Sequence, residues 1–237
     1  MEIIQMGNKY TNSSSRDGYV PCVIVNHISA GSMSSMDSWF TSASNNVSST
    51  HFGVAKDGRI HQYVDIRRMA WANGLTATGT TNAPAKVVRD RPGVNPNKYT
   101  ISIEHEGMDG DLTEPQFASS LWLHRYIQQE VERIWGKQLL LDSVHVIGHC
   151  DIDPIRKANC PGPKFPWARL RSALAAEEEQ AIMDKVQVFV NGQLQKEGLL
   201  INGITYVPAR AVSKALQAKV EWDHVKKVVR ISKEQQD

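Results

Sequence analysis

Apolar residues dominate Val20-Pro21-Cys22-Val23-Ile24-Val25-Asn26-His27, a run that predicts a strand ending at a histidine. Met36, Trp39, Phe40 and Ala43 then recur at helical spacing from Met33 onward, before a Ser/Asn tract over residues 42–50. Residues 51–56 and 59–64 flank Asp57-Gly58, a hairpin signal. Residues 72–98 are rich in Gly, Thr, Asn and Pro without periodicity, which predicts a long binding or active-site loop. Next, Tyr99, Ile101 and Ile103 alternate with Thr100, Ser102 and Glu104, so Glu104 is expected to point away from the core. Thr113-Glu114-Pro115-Gln116 reads as a capping box opening a long helix, with Phe117, Leu121, Ile127, Val131 and Ile134 as its apolar stripe and an end near Gly136. A buried run, Val144 to His149, leads into irregular residues 150–163, and residues 167–183 read as helical.

The pattern changes in the last quarter of the chain. Ala175-Ala176-Glu177-Glu178-Glu179-Gln180 predicts an acidic helical linker. Beyond it come short strands, turns at Asn191-Gly192 and Asn202-Gly203, and one helix over residues 209–216. The expected division is a catalytic domain at 1–174, a linker at 175–185 and a small β-rich accessory module at 186–237.

Composition narrows the function classes. With 41% hydrophobic and 22% charged residues the 237-residue chain is globular rather than disordered. No stretch approaches the roughly 18 apolar residues of a membrane span, and a net charge of +2 lacks the basic field expected of a nucleic-acid binder. Met1 to Asn8 has an acid where a signal peptide needs bases, so none is expected. Cys22, Cys150 and Cys160 are too few and too scattered for a disulfide framework. Oligomeric state is left open.

Three potential zinc ligands stand at element ends: His27, His149 and Cys160. Imidazole and thiolate suit zinc, and a catalytic site uses three protein ligands with a fourth position open. The same residues also read as ordinary polar histidines and a small buried thiol. Local words then occur in a telling order: Val23-Ile24-Val25-Asn26-His27; His51-Phe52-Gly53-Val54 before Asp57-Gly58; Trp71-Ala72-Asn73-Gly74; Thr100-Ile101-Ser102-Ile103-Glu104; and His149-Cys150-Asp151-Ile152 with Cys160-Pro161-Gly162-Pro163. Over roughly Val20 to Leu174 the chain resembles the zinc N-acetylmuramoyl-L-alanine amidases of the type 2 group, which includes phage endolysins and the peptidoglycan recognition proteins.

The resemblance implies an α/β fold, a mixed β-sheet flanked by helices with a zinc-containing cleft. It also implies a Zn2+ site of His27, His149 and Cys160, with Glu104 as the catalytic carboxylate. The implied substrate is bacterial peptidoglycan, cut between N-acetylmuramic acid and L-alanine. Thr50, His51, Trp71 and Asn73 are the implied substrate-binding positions. Thr50 stands where many relatives have a tyrosine, and Asn73 replaces a usual histidine. Ala158 holds the place of an oxyanion-steadying lysine, which makes Lys157 the candidate for that role. Glu106 shares the parity of Glu104 and is the rival base. Without a signal peptide, the resemblance fits an endolysin held in the bacterial cytoplasm until a separate pore opens, or a fragment of a secreted autolysin. A recognition protein that binds muropeptides without cutting them, or a zinc amidohydrolase for another acyl amide, are the alternatives. The tail, with Val207-Pro208-Ala209-Arg210-Ala211 and Glu221-Trp222-Asp223, resembles the small module named after the copper amine oxidase N-terminal domain. That module implies a wall-binding or accessory role, and its single histidine, His224, argues against copper.

Overall fold

Two β-branched runs, Val23–Ile28 and Thr100–His105, lie side by side in parallel at the centre of a six-stranded mixed sheet in the computed structural model. Residues 1–237 are described apart from 184, 196, 202, 203, 225, 226 and 234–237. Across the sheet the strands run Ile3–Gln5, Ile60–Gln62, Phe52–Val54, Thr100–His105, Val23–Ile28 and Val146–Gly148. One pairing is antiparallel, between Phe52–Val54 and Ile60–Gln62. Gly58 turns that hairpin with a φ of 91°, a conformation that favours glycine. The chain divides into two units, Met1–Ala175 and Ala176–Asp237.

Alternation sorts the central strands into two faces. Ile24, Ile101, Ile103 and Val146 pack with Leu123, Ile127 and Val131 of the helix Glu114–Trp135. Each such fully buried side chain contributes about 1.5–3 kcal/mol. On the opposite face the register sets Val23 beside Thr100, Val25 beside Ser102 and His27 beside Glu104. Tyr99 departs from the expected alternation. It closes a 3-10 turn over Pro96–Lys98 and packs with Val23, Val25 and Ile147 instead.

The long helix starts as its cap predicts, with Thr113 Oγ1 accepting from Gln116 N, and ends at Gly136 with φ 63°. Only half of the capping box forms, because the Gln116 side chain donates to Val54 O and Glu106 O. Residues 72–98 are more ordered than their composition suggests. They hold helices at Ala77–Asn82 and Lys86–Arg89, and Val87 and Val88 are buried with Val23 and Val25. The run before His149 is strand only from Val146, and Val144 is exposed.

His124 fills the seam between helix and sheet. Its Nδ1 lies 2.7 Å from Ser120 O and its Nε2 lies 3.2 Å from Asn26 Nδ2. A neutral ring satisfies both, donating to the carbonyl and accepting from the amide. Burial lowers its pKa to about 4, whereas an unfolded imidazole titrates near about 6.5. As pH falls below that value the unfolded chain takes the proton first, so stability is lost progressively, by up to about 3 kcal/mol at the folded pKa. His124→Gln is expected to flatten the decline of the thermal midpoint between about pH 6.5 and 4.5. An unchanged slope in that variant would assign the acid sensitivity elsewhere.

The described residues of the second unit include the last turns of the helix Trp167–Met183, short strands, and the helix Ala209–Ala215. Phe189–Val190 pairs with Gln193–Leu194 through Asn191 and Gly192, both at positive φ. Gly198–Ile201 pairs with Ile204–Tyr206, and Ala218–Asp223 pairs with Val228–Lys233. The expected turn at Asn202-Gly203 lies outside the described residues. No helix among the described residues is long and apolar enough to cross a membrane.

Candidate functional site

Three strand and loop ends deliver the site. His27 is the fifth residue of Val23–Ile28, and His149 follows Val146–Gly148 on the neighbouring strand. Cys160 returns from the irregular segment, held by the bond from Cys150 N to Cys160 O at 2.9 Å. Potential ligand atoms of these three residues all lie within 4.8 Å of one another. Cys160 Sγ is 3.8 Å from His27 Nδ1, and the two imidazoles meet edge to face with centroids 4.5 Å apart. Tetrahedral zinc with ordinary Zn–N and Zn–S bonds sets its donors about 3.3–3.8 Å apart; the donor types suit that ion, and the Cys160 Sγ to His27 Nδ1 distance of 3.8 Å lies at the upper end of the range.

Glu104 stands beside this cluster because its strand pairs in register with that of His27. Its Oε1 is 3.8 Å from His27 Nδ1, while Oε2 is buried with no hydrogen-bond partner. Burial raises the Glu104 carboxyl to about 7, against the opposing pull of the Lys157 charge. The same desolvation pushes the Cys160 thiol up to about 12, aided by Glu104, and brings His149 down to about 4, aided by Lys157. His27 is lowered well below the usual imidazole value by burial and then by His149. Every ligand candidate is thus held in its uncharged form, and a divalent cation reverses the balance at the thiol.

Glu106 is not among the residues lining the cleft, and its carboxylate accepts from Lys56 N at 2.9 Å. Above the cluster opens a cleft of about 610 Å³ lined by Ser29, Trp39, Ser48, Met108, Ile155 and Lys157, among others. Ile155 is 90% exposed, Met108 72% and Trp39 44%, an apolar rim around a polar floor. The helix expected from the spacing of Met36, Trp39 and Phe40 forms over Met33–Phe40; Met33, Met36 and Phe40 take its buried side, and the Trp39 indole donates to Ser48 Oγ.

The four expected substrate contacts do not assemble around the cleft. Thr50 is buried, with its hydroxyl donating to Ser102 O. His51 is buried too, its Nδ1 accepting from Ser102 N and its Nε2 lying 2.8 Å from Arg16 Nη2. Asn73 is fully buried and donates from Nδ2 to Thr100 Oγ1 and Ser102 Oγ. Trp71 is half exposed, but its indole donates to Ser14 Oγ and only the next residue, Ala72, lines the cleft. Thr50, His51 and Asn73 all hydrogen-bond the strand that carries Glu104. Lys157, by contrast, lies on the cleft wall.

Comparison with known proteins places this geometry. Residues 17–163 match the family model of N-acetylmuramoyl-L-alanine amidase, and residues 182–237 match the copper amine oxidase N-terminal domain. The 1,6-anhydro-N-acetylmuramyl-L-alanine amidase AmpD of Escherichia coli K12 is 32% identical over 130 residues, covering 54% of this chain and 60% of that protein. AmpD of Haemophilus influenzae is 30% identical over 127 residues, 53% of this chain and 58% of its own length. The match therefore spans less than two thirds of these relatives. A crystal structure of a Se-Met AmpD derivative shares the fold with a TM-score of 0.55 at 24% identity, over 73% of this chain and 94% of that one. The amidase LysC from Clostridium intestinale does so with a TM-score of 0.50 at 18% identity, over 74% and 98%.

Proposed function

The chain belongs to the N-acetylmuramoyl-L-alanine amidase family, and from that premise we propose that it hydrolyses the amide between N-acetylmuramic acid and the L-alanine of the peptidoglycan stem peptide. The observation that carries this reading is the convergence of His27, His149 and Cys160 beside the Glu104 carboxylate at the base of an open cleft. Zinc held by those three residues would supply Lewis-acid polarisation of the scissile carbonyl and a water of lowered pKa.

Glu104 takes the proton of the attacking water and delivers it to the departing L-alanine amine. Lys157, on the cleft wall, places positive charge where the carbonyl oxygen becomes an anion. Trp39, Met108 and Ile155 offer apolar surface to the sugar ring and the peptide side chains.

We assign the second unit as a tether that raises the local concentration of the catalytic unit on the wall. That favours polymeric wall over released fragments as the working substrate, the use made of such an enzyme by a phage or prophage endolysin or an autolysin. Incubation of the zinc-loaded protein with intact Gram-positive walls and, separately, with soluble 1,6-anhydromuramyl peptides tests this by mass spectrometry. New L-alanine amino termini without new reducing sugar ends are expected, with walls cleaved well. Cleavage of the soluble peptides alone would move the enzyme to fragment processing. Sedimentation with walls and no new termini from either substrate would make it a recognition protein.

A further inference from the structure

The proposed chemistry uses one nitrogen of His27 and leaves the other unaccounted for. Nδ1 is the atom near Cys160 Sγ and Glu104 Oε1, 3.8 Å from each. Nε2 is buried and has no well-formed hydrogen bond among the described residues. When Nδ1 serves as a ligand, the neutral ring carries its proton on Nε2. A buried N–H of that kind needs an acceptor.

Asn73 Oδ1 is a second buried atom without a well-formed partner. The orientation of its amide follows from the surrounding hydrogen bonds. Thr100 Oγ1 spends its own proton on Pro96 O at 2.9 Å, so towards Asn73 it accepts. Nδ2 therefore faces the strand, donating to Thr100 Oγ1 at 3.0 Å and Ser102 Oγ at 2.8 Å, and the oxygen is left for another donor. Thr100 and Ser102 occupy the face of the central strand that also carries Glu104, in register with Val23, Val25 and His27. His27 stands one alternation along that face from Val25, the register partner of Ser102, so the unpaired Asn73 oxygen and the unpaired His27 nitrogen share one face of the sheet.

We infer that Asn73 is a positioning residue for the metal centre, its Oδ1 accepting the Nε2 proton of His27 and so fixing the tautomer that presents a bare Nδ1 towards Cys160 and His149. The inference rests on the metal-site reading proposed above and deepens it. One contact answers two buried polar atoms of opposite kind, and Thr100 and Ser102 hold the acceptor in place.

The test is zinc affinity of the full chain by competition with a chromophoric chelator, for the parent, Asn73→Ala and Asn73→Asp. Removing the acceptor is expected to weaken zinc binding about 10–100-fold. Asn73→Asp loses both donors to the strand yet keeps an acceptor, and is expected to return affinity to within about threefold of the parent. If Asn73 serves only to brace the strand, both variants weaken alike, and that result overturns the inference. So does Asn73→Ala binding zinc within about twofold of the parent. A reading that needs no variant is the 15N spectrum of the zinc-loaded parent, in which the His27 proton is expected on Nε2; a proton on Nδ1 overturns the assignment. A parent that binds no zinc sinks the metal-site reading itself.

Discussion

Glu104→Gln is expected to lower turnover of a muramyl peptide by about a thousandfold, the middle of the range for loss of a general acid–base group, while zinc stoichiometry stays at the parent value. The amide keeps the shape of the side chain and its place opposite His27 in the sheet register. It cannot accept the proton of an attacking water, and it has none to give to the departing amine. The structure adds a second expectation. Glu104 is 17% exposed in its side chain, and its Oε2 is buried without a partner, so the folded chain bears a desolvated acid. A neutral amide relieves that burden, and the thermal midpoint measured with chelator present is expected to hold or rise. Activity within about tenfold of the parent would remove Glu104 from the chemistry. A fall in midpoint alongside lost activity would show that Glu104 supports the fold.

The parts of this site that follow local patterns were legible in the sequence. Alternation along Thr100–His105 placed Glu104 on the face opposite Ile101 and Ile103, and the structure keeps that parity. Its mixed sheet flanked by helices is the expected fold class. What escaped reading is held by partners distant in sequence. Arg16, buried among Ile66 O, Asn97 O, Lys98 O and Thr100 O, has no local signature at all. Residues 72–98 lack periodicity because polar contacts order them: Asn97 Oδ1 accepts from Ala72 N and Asn73 N, and Thr80 Oγ1 accepts from Gly93 N. Thr50, His51 and Asn73 were expected at the substrate because the family resemblance implies that role. All three point into a buried hydrogen-bond lattice around Ser102 instead. Trp39 shares the helical spacing of Met36 and Phe40 yet lines the cleft. In so short a helix Met33, Met36 and Phe40 suffice to cover the core, and the neighbouring direction is left for the cleft.

Replacing Cys160 by serine has an expected effect on zinc larger than that of any supporting contact. Among the described residues, the grouping that could hold a metal consists of two imidazoles and this one sulfur. A serine hydroxyl is close in size but stays protonated at neutral pH, so it offers neither the charge nor the soft donor that a thiolate gives zinc. Loss of a direct ligand should exceed the roughly 10–100-fold typical of an outer hydrogen-bond partner. At least about a hundredfold weaker binding in Cys160→Ser is therefore the expected result. Zinc that binds only the folded chain also raises the thermal midpoint in proportion to its occupancy, so the upward shift seen on adding zinc to the parent is expected to vanish in the variant at the same concentration. Midpoints with chelator present should stay close, because Cys160 lies half-buried in a loop and makes its backbone bond to Cys150 whatever its side chain. Full zinc affinity in Cys160→Ser would show that another group closes the site. Cys150 would then be the first to examine, since it is also half-buried and its backbone N–H is bonded to the carbonyl of Cys160.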